Sequence, residues 1–185
     1  MNKRENAISK FNKKSQFPKE NKKNSKNLIY KDVIYLFTDG SCRGNPGRGG
    51  VGIVILEKFN RIEISEGYKY TTNNRMELLS IIKGLRRILP KKDCIIKVTT
   101  DSRYIVNAIN YKWLQNWKKN GWIASDKNPV KNIDLWKEID KLIQENNVEF
   151  SWVRGHSGHP ENERCDQLAR EACSNDDLLE DIKVF

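Results

Sequence analysis

Three β-rich runs in close succession constrain the fold of this chain more than any other feature. "VIYLF" (33–37), "GVGIVILE" (50–57) and "RIEISEGYKY" (61–70) are joined by short loops. The third alternates apolar and polar residues, the period of a half-buried antiparallel strand. The spacing predicts a meander. After it the pattern changes to strands joined through helices. "NNRMELLSIIKGLRRIL" (73–89) sets Met76, Leu79, Ile82, Leu85 and Leu89 at helical spacing, and Pro90 stops it. "CIIKVTT" (94–100) reads as a strand and 102–110 as a helix. A helix over 132–145 carries Ile133, Trp136, Ile139 and Ile143 on one face, and "VEFSWV" (148–153) is the last strand. A final helix over 161–173 lines up Cys165, Leu168, Ala169 and Ala172, with Pro160 at its start. The order β-β-β-α-β-α-α-β-α predicts an α/β fold. Its sheet is mixed, with right-handed crossovers and flanking helices.

The rest of the chain does not share this patterning. The 185 residues carry a formal net charge of +10, and 37% are hydrophobic. Residues 1–27 hold nine Lys/Arg and two Glu, which is +7, leaving +3 for the remainder. That stretch is rich in Lys, Asn and Ser and has no apolar face, so it is expected to be a disordered tail. It reads as a solvated charge run or as a nonspecific nucleic-acid arm. A transit peptide fits less well, because the stretch is Lys/Asn-rich rather than Arg-rich. The folded domain is expected over 28–175, leaving 176–185 as a C-terminal tail. Cys42, Cys94, Cys165 and Cys173 form no Cys-x-x-Cys pair and are read as thiols in a reducing compartment. No apolar run approaches the ~20 residues of a membrane span. The chain is therefore expected to be cytoplasmic, with no membrane partner.

Four carboxylates hold telling positions. Asp39 ends the first strand and Asp101 the fourth. If those strands are parallel neighbours, both carboxylates emerge at the sheet edge where α/β proteins bind ligands. Glu77 is expected in the first turn of the helix after the meander, and Asp166 lies beside the apolar stripe of the last helix, near its start. Each has a plain alternative. Asp39 before Gly40 could be a turn residue. Glu77 could oppose the helix dipole, Asp101 could cap a helix, and Asp166 could be a solvated charge. Together they are harder to dismiss, because clustered acids repel unless a cation neutralises them. Oxygen ligands favour Mg²⁺, with Mn²⁺ a substitute, over zinc. Two such ions about 4 Å apart can support an in-line phosphodiester displacement. The glycines of "FTDGSCRGNPGRGG" (37–50) would let nucleic acid approach closely, and no Gly-Lys-Ser/Thr follows to make a P-loop. His156, in a loop with Gly155 and Gly158, is suited to passing protons near neutral pH. His159, before Pro160, reads as structural.

The segments "FTDGSCRGNPG", "TTNNRMEL", "TDSRY", "NWKKNGW", "NPVKNIDLW" and "GHSGHPENERCDQLA" together resemble the bacterial type 1 ribonuclease H family, in the family's order, over about 33–175. The resemblance implies a five-stranded sheet of order 3-2-1-4-5. It implies a monomeric endonuclease that hydrolyses the RNA strand of an RNA–DNA hybrid and leaves 5′-phosphate and 3′-hydroxyl ends. Asp39, Glu77, Asp101 and Asp166 match the metal-binding carboxylates, and His156 the mobile histidine. Cys42, Asn45, Asn73, Asn74 and Arg75 match contacts to the minor groove, and Thr72 a residue near the DNA-strand phosphate. Arg103 stands where members often carry Gln, making that contact more electrostatic. Phe150 and Arg154 also depart, with similar character.

Cutting only RNA requires sensing the 2′-hydroxyl, and the DNA strand is read by shape, so sequence preference should be weak. The insertion 111–131 carries five Lys against one Asp, +4, with Trp113, Trp117 and Trp122 interleaved. Trp113, and with less force Trp117, are expected in the core. The resemblance makes Trp122, Lys118, Lys119 and Lys127 candidates for gripping the hybrid. A hybrid-binding module without activity would lack one of the five site residues, and none is missing. A carboxylate exonuclease would leave the basic, Trp-rich insertion unexplained.

Overall fold

The computed structural model describes residues 32–88 and 94–182. The tail expected at 1–27, and the helix stop at Leu89 and Pro90, lie outside them. Strands β1 (Asp32–Arg43), β2 (Gly47–Glu57) and β3 (Asn60–Thr71) form the expected antiparallel meander. Strand β4 (Cys94–Thr100) lies parallel to β1, and β5 (Val148–Trp152) parallel to β4. The helices are α1 (Asn73–Ile88), α2 (Arg103–Asn110), α3 (Trp113–Lys119), α4 (Ile133–Gln144) and α5 (Pro160–Ala172).

The sheet order is β5-β4-β1-β2-β3-β6, so the five expected strands stand in the expected order. The addition is β6 (Leu178–Leu179), parallel to the outer edge of β3. Two leucines carry no period, which is why the sequence offers no strand there. What holds them is chemical. Asp181 accepts from the Thr71 hydroxyl at 2.6 Å and from Arg75 Nε at 2.6 Å. Residues 178–181 are thus part of the fold rather than a free tail.

Strand alternation divides the core. Leu36, Ile53 and Ile55 join α1 and α4 in the larger cluster, around the fully buried Trp136. Phe37 and Val54 point the other way, onto Cys165 and Leu168 of α5. Helix α5 lies very close to β2. A Cβ on Gly52 would stand 1.9 Å from the Cys165 carbonyl oxygen, so only glycine admits this approach. That contact fixes the height of Asp166, the next residue along α5. Burying apolar surface on both sheet faces is the main driving force here, at about 25 cal/mol per Å².

The insertion contains one helix the sequence did not announce, α3. Its buried residue is Leu114, while Trp113 is 37% exposed, contrary to the expectation of a core Trp113. Trp117 is partly buried, with its ring 5.3 Å from that of Trp136 in an edge contact. A seven-residue helix shows too few turns for its apolar face to be read. No helix of the described residues is long and apolar enough to cross a membrane.

Candidate active site

The parallel pairing of β1 with β4 ends at Phe37 opposite Thr99. Asp39 and Asp101 each lie two residues further on, so both side chains leave the same end of adjacent strands. Asp39 is not the last residue of its strand. β1 continues to Arg43, paired with β2, after it parts from β4. The turn reading of Asp39 is therefore set aside. Asp101 does not cap α2, whose N-cap is Ser102 with no side-chain cap bond. Glu77 is the fifth residue of α1, and the first turn of that helix holds no acid, so it does not serve the helix dipole.

Asp39, Glu77 and Asp101 each offer an oxygen within 4.8 Å of the others. Asp39 and Glu77 are buried. Burial, and then the charge of Asp101, push the Asp39 carboxyl up to about 8, although the Gly40 N–H donates to Asp39 Oδ1 at 2.8 Å. Burial, and then Asp39 and Asp101, hold Glu77 well above the usual carboxylate range, against a bond from Asn73 Nδ2 to Glu77 Oε1 at 3.4 Å. Glu77 Oε2 is buried and has no hydrogen-bond partner among the described residues. Three converging acids with an orphaned oxygen fit a hard divalent cation, which would neutralise the charge and satisfy that oxygen.

Asp166 stands beside this group rather than within it. Its Oδ2 is contacted by the Arg170 guanidinium one turn along α5, and His156 Nδ1 lies 3.9 Å from the same oxygen. Both Asp166 and Arg170 act electrostatically on Asp39, in opposite senses. His156 has a left-handed backbone (φ 50°) and a side chain 76% exposed. His159 is the N-cap of α5, accepting from the Asn162 N–H, and its ring packs on Phe37.

Asn45 Oδ1 accepts from the Asn73 N–H at 2.9 Å, and the Cys42 thiol donates to the Thr71 carbonyl at 3.3 Å. These bonds gather Cys42, Asn45, Thr72, Asn73 and exposed Asn74 at the start of α1. The Arg75 side chain does not join them. It is buried between Asp134, at 2.8 Å, and Asp181, at 2.6 Å, so a side-chain groove contact for Arg75 is replaced by a structural ion pair. The glycines of 37–50 also serve the interior more than the surface. A Cβ on Gly40 would strike the backbone of Met76 and Glu77.

Lys118 pairs with Asp140 at 2.7 Å, while Lys119 and Lys127 are exposed. Trp122 is partly buried against the core with Lys137 over its ring, so its free face is smaller than expected. The Arg103 guanidinium lies 4.1 Å from the centre of the Trp152 ring. Trp152 and Arg170 are two residues that sequence reasoning missed. The Trp152 indole N–H donates to the Asp101 carbonyl at 2.9 Å, bracing that acid from β5. The signal for Arg170 was its i+4 spacing from Asp166, a helical ion-pair distance.

The RNase H family model matches residues 31–174. Ribonuclease H of Pseudoalteromonas atlantica is 53% identical over 148 residues, covering 80% of this chain and 95% of that protein. Ribonuclease H of Desulforamulus reducens is 51% identical over 150 residues, covering 81% and 93%. Among solved structures, LC9-RNase H1, a type 1 RNase H with the type 2 active-site motif, matches with a TM-score of 0.69 and 33% identity over 78% of this chain and 74% of that one. LC11-RNase H1, solved in complex with an RNA/DNA hybrid, shares the fold with a TM-score of 0.57 at 24% identity, over 76% and 96% of the two chains. The chain belongs to the RNase H family of metal-dependent endoribonucleases.

Proposed function

We propose that this protein hydrolyses the RNA strand of RNA–DNA hybrids, as a monomer and with little sequence preference, leaving 5′-phosphate and 3′-hydroxyl ends. The observation that carries this reading is the convergence of Asp39, Glu77 and Asp101 with the unpartnered Glu77 oxygen. Similarity to LC11-RNase H1, which was solved with a hybrid, favours the same substrate class here.

Asp39, Glu77 and Asp101 would hold Mg²⁺ or Mn²⁺, and Asp166 would complete a second position. Two ions, when bound, supply charge neutralisation at the scissile phosphate and a more acidic attacking water. The chain's own residues supply the rest. Exposed His156 moves a proton at the site mouth and Asp166 orients it. Asn45, Asn73 and Asn74, with Cys42 and Thr72, line the start of α1, where amide groups can both donate to and accept from a ribose 2′-hydroxyl. Arg103, stacked on Trp152, presents its guanidinium edge to a phosphate. Lys118, Lys119 and Lys127, with the accessible part of Trp122, hold the far strand through phosphate contacts that weaken with salt.

A gel assay of hybrid, double-stranded RNA and single-stranded RNA, each with Mg²⁺ and with EDTA, tests the reading. Cleavage of the RNA in the hybrid alone, abolished by EDTA, is expected. Equal cleavage of double-stranded RNA, or cleavage surviving EDTA, would overturn it.

A further inference from the structure

The three buried acids already form a cation-sized group, whereas Asp166 is turned to a cation of the protein's own. Arg170 contacts Asp166 Oδ2, and His156 approaches the same atom. Asp166 is 15% exposed and Arg170 is 60% exposed. The carboxylate is thus fixed at the site edge, while the guanidinium sits on a long stem open to solvent and can leave without disturbing the core. We propose that Arg170 is a positioning residue that latches Asp166. The two cation positions then fill in order: the first at Asp39, Glu77 and Asp101, the second only as Asp166 exchanges Arg170 for the incoming ion.

Two further observations support this. The group of mutually close ligand oxygens contains Asp39, Glu77 and Asp101 but not Asp166. Arg170 also acts electrostatically on Asp39, in the opposite sense to Asp166. Two positive groups on one carboxylate oxygen repel each other, so an ion arriving at Asp166 Oδ2 competes with Arg170. The exchange is cheap, because an exposed helical ion pair at i,i+4 spacing is weak. Freed, Arg170 remains at the mouth as a solvated cation. The latch lowers the affinity for a second divalent ion about two- to fivefold until substrate provides further oxygen ligands.

The inference rests on the two-cation reading above. The test follows the Arg170 side-chain Nε–H signal by NMR while Mg²⁺ is added to the full chain, alone and with a non-cleavable hybrid. Calorimetry of wild type and Arg170→Gln runs in parallel. The Arg170 signal should stay in place through the first binding step and shift in the second. Arg170→Gln should take its second ion about two- to fivefold more tightly, the range an exposed pair supports. A signal that moves with the first ion, a signal that never moves, or an unchanged second affinity in Arg170→Gln would each overturn the latch. If wild type binds only one ion even with hybrid present, the two-cation reading falls with it. If it binds two and Arg170 does not respond, only the latch falls.

Discussion

Gly40 and Glu77 meet backbone to backbone. A Cβ added to Gly40 would stand 2.3 Å from the Glu77 nitrogen and 2.4 Å from the Met76 carbonyl carbon. Strand β1 and helix α1 therefore touch at the level of the acids, and this contact brings Glu77 beside Asp39. Gly40→Ala should force the two elements apart, costing about 1–3 kcal/mol as an overpacked site. Turnover should fall more than hybrid binding. Thermal melts and single-turnover kinetics check both, and a fully active, equally stable variant would refute the assigned contact.

Removing one of the crowded acids should separate stability from activity. Asp39→Asn removes a buried carboxyl whose ionised form is disfavoured by burial and repelled by Asp101 and Asp166. The cation-free protein should gain about 0.5–2 kcal/mol, the usual size of a relieved functional strain. Cleavage should be lost while hybrid binding persists. Chemical denaturation in EDTA, together with an activity assay, reads both effects.

The raised carboxyls set a pH dependence with a definite sign. Asp39 titrates at about 8 in the native state against 3.8 for the ordinary group, and Glu77 shifts in the same direction. The cation-free native state therefore binds more protons than the unfolded chain across that window. Their contribution to stability is fully present below about 3.8 and is lost as pH rises through about 8. Cation binding needs the ionised forms, so affinity should rise with pH, and binding at neutral pH should release protons. Calorimetry in two buffers of different ionisation enthalpy would detect that release. Identical heats in both would contradict the assignment.

Trp152 braces Asp101 through its indole N–H. Trp152→Phe keeps a ring for Arg103 but removes the donor, so it should lower kcat with little change in KM. Trp152→Ala should also raise KM, because Arg103 loses its stacking partner. A Phe variant with wild-type kcat would show that the brace is idle.

Arg75 joins the start of α1 to α4 and to Asp181, two residues after β6. Its burial alone would weaken its charge, but bonds to Asp181 and Asp134 hold its pKa above the usual value. Arg75→Ala removes the guanidinium shared by Asp134 and Asp181, and denaturation should show a loss of about 3–5 kcal/mol.

Most of the fold was legible because its signals are periodic. The alternation of 61–70 and the helical spacing after Asn73 gave β3 and α1 directly. The missed elements, α3 and β6, are short and owe their form to distant partners, Leu114 in the core and Arg75 against Asp181. Residue type and place on the strands located Asp39 and Asp101. No sequence pattern shows where a long side chain points, which is why the ion pairs of Arg75 with Asp134 and Asp181 were not legible and Trp113 was read toward a core it only borders. Trp152 escaped notice for a related reason. Its indole N–H bonds a backbone carbonyl 51 residues away, and its ring meets Arg103, neither of which leaves a local pattern.

Asp39, Glu77, Asp101 and Asp166 are proposed to act through divalent cations. The most direct measurement is an anomalous-scattering map of crystals of the full chain grown with a non-cleavable RNA–DNA hybrid and Mn²⁺. Two peaks bounded by Asp39, Glu77, Asp101 and Asp166, at one RNA phosphate, are predicted. A map with no peak there, or with Mn²⁺ held away from all four, would contradict it.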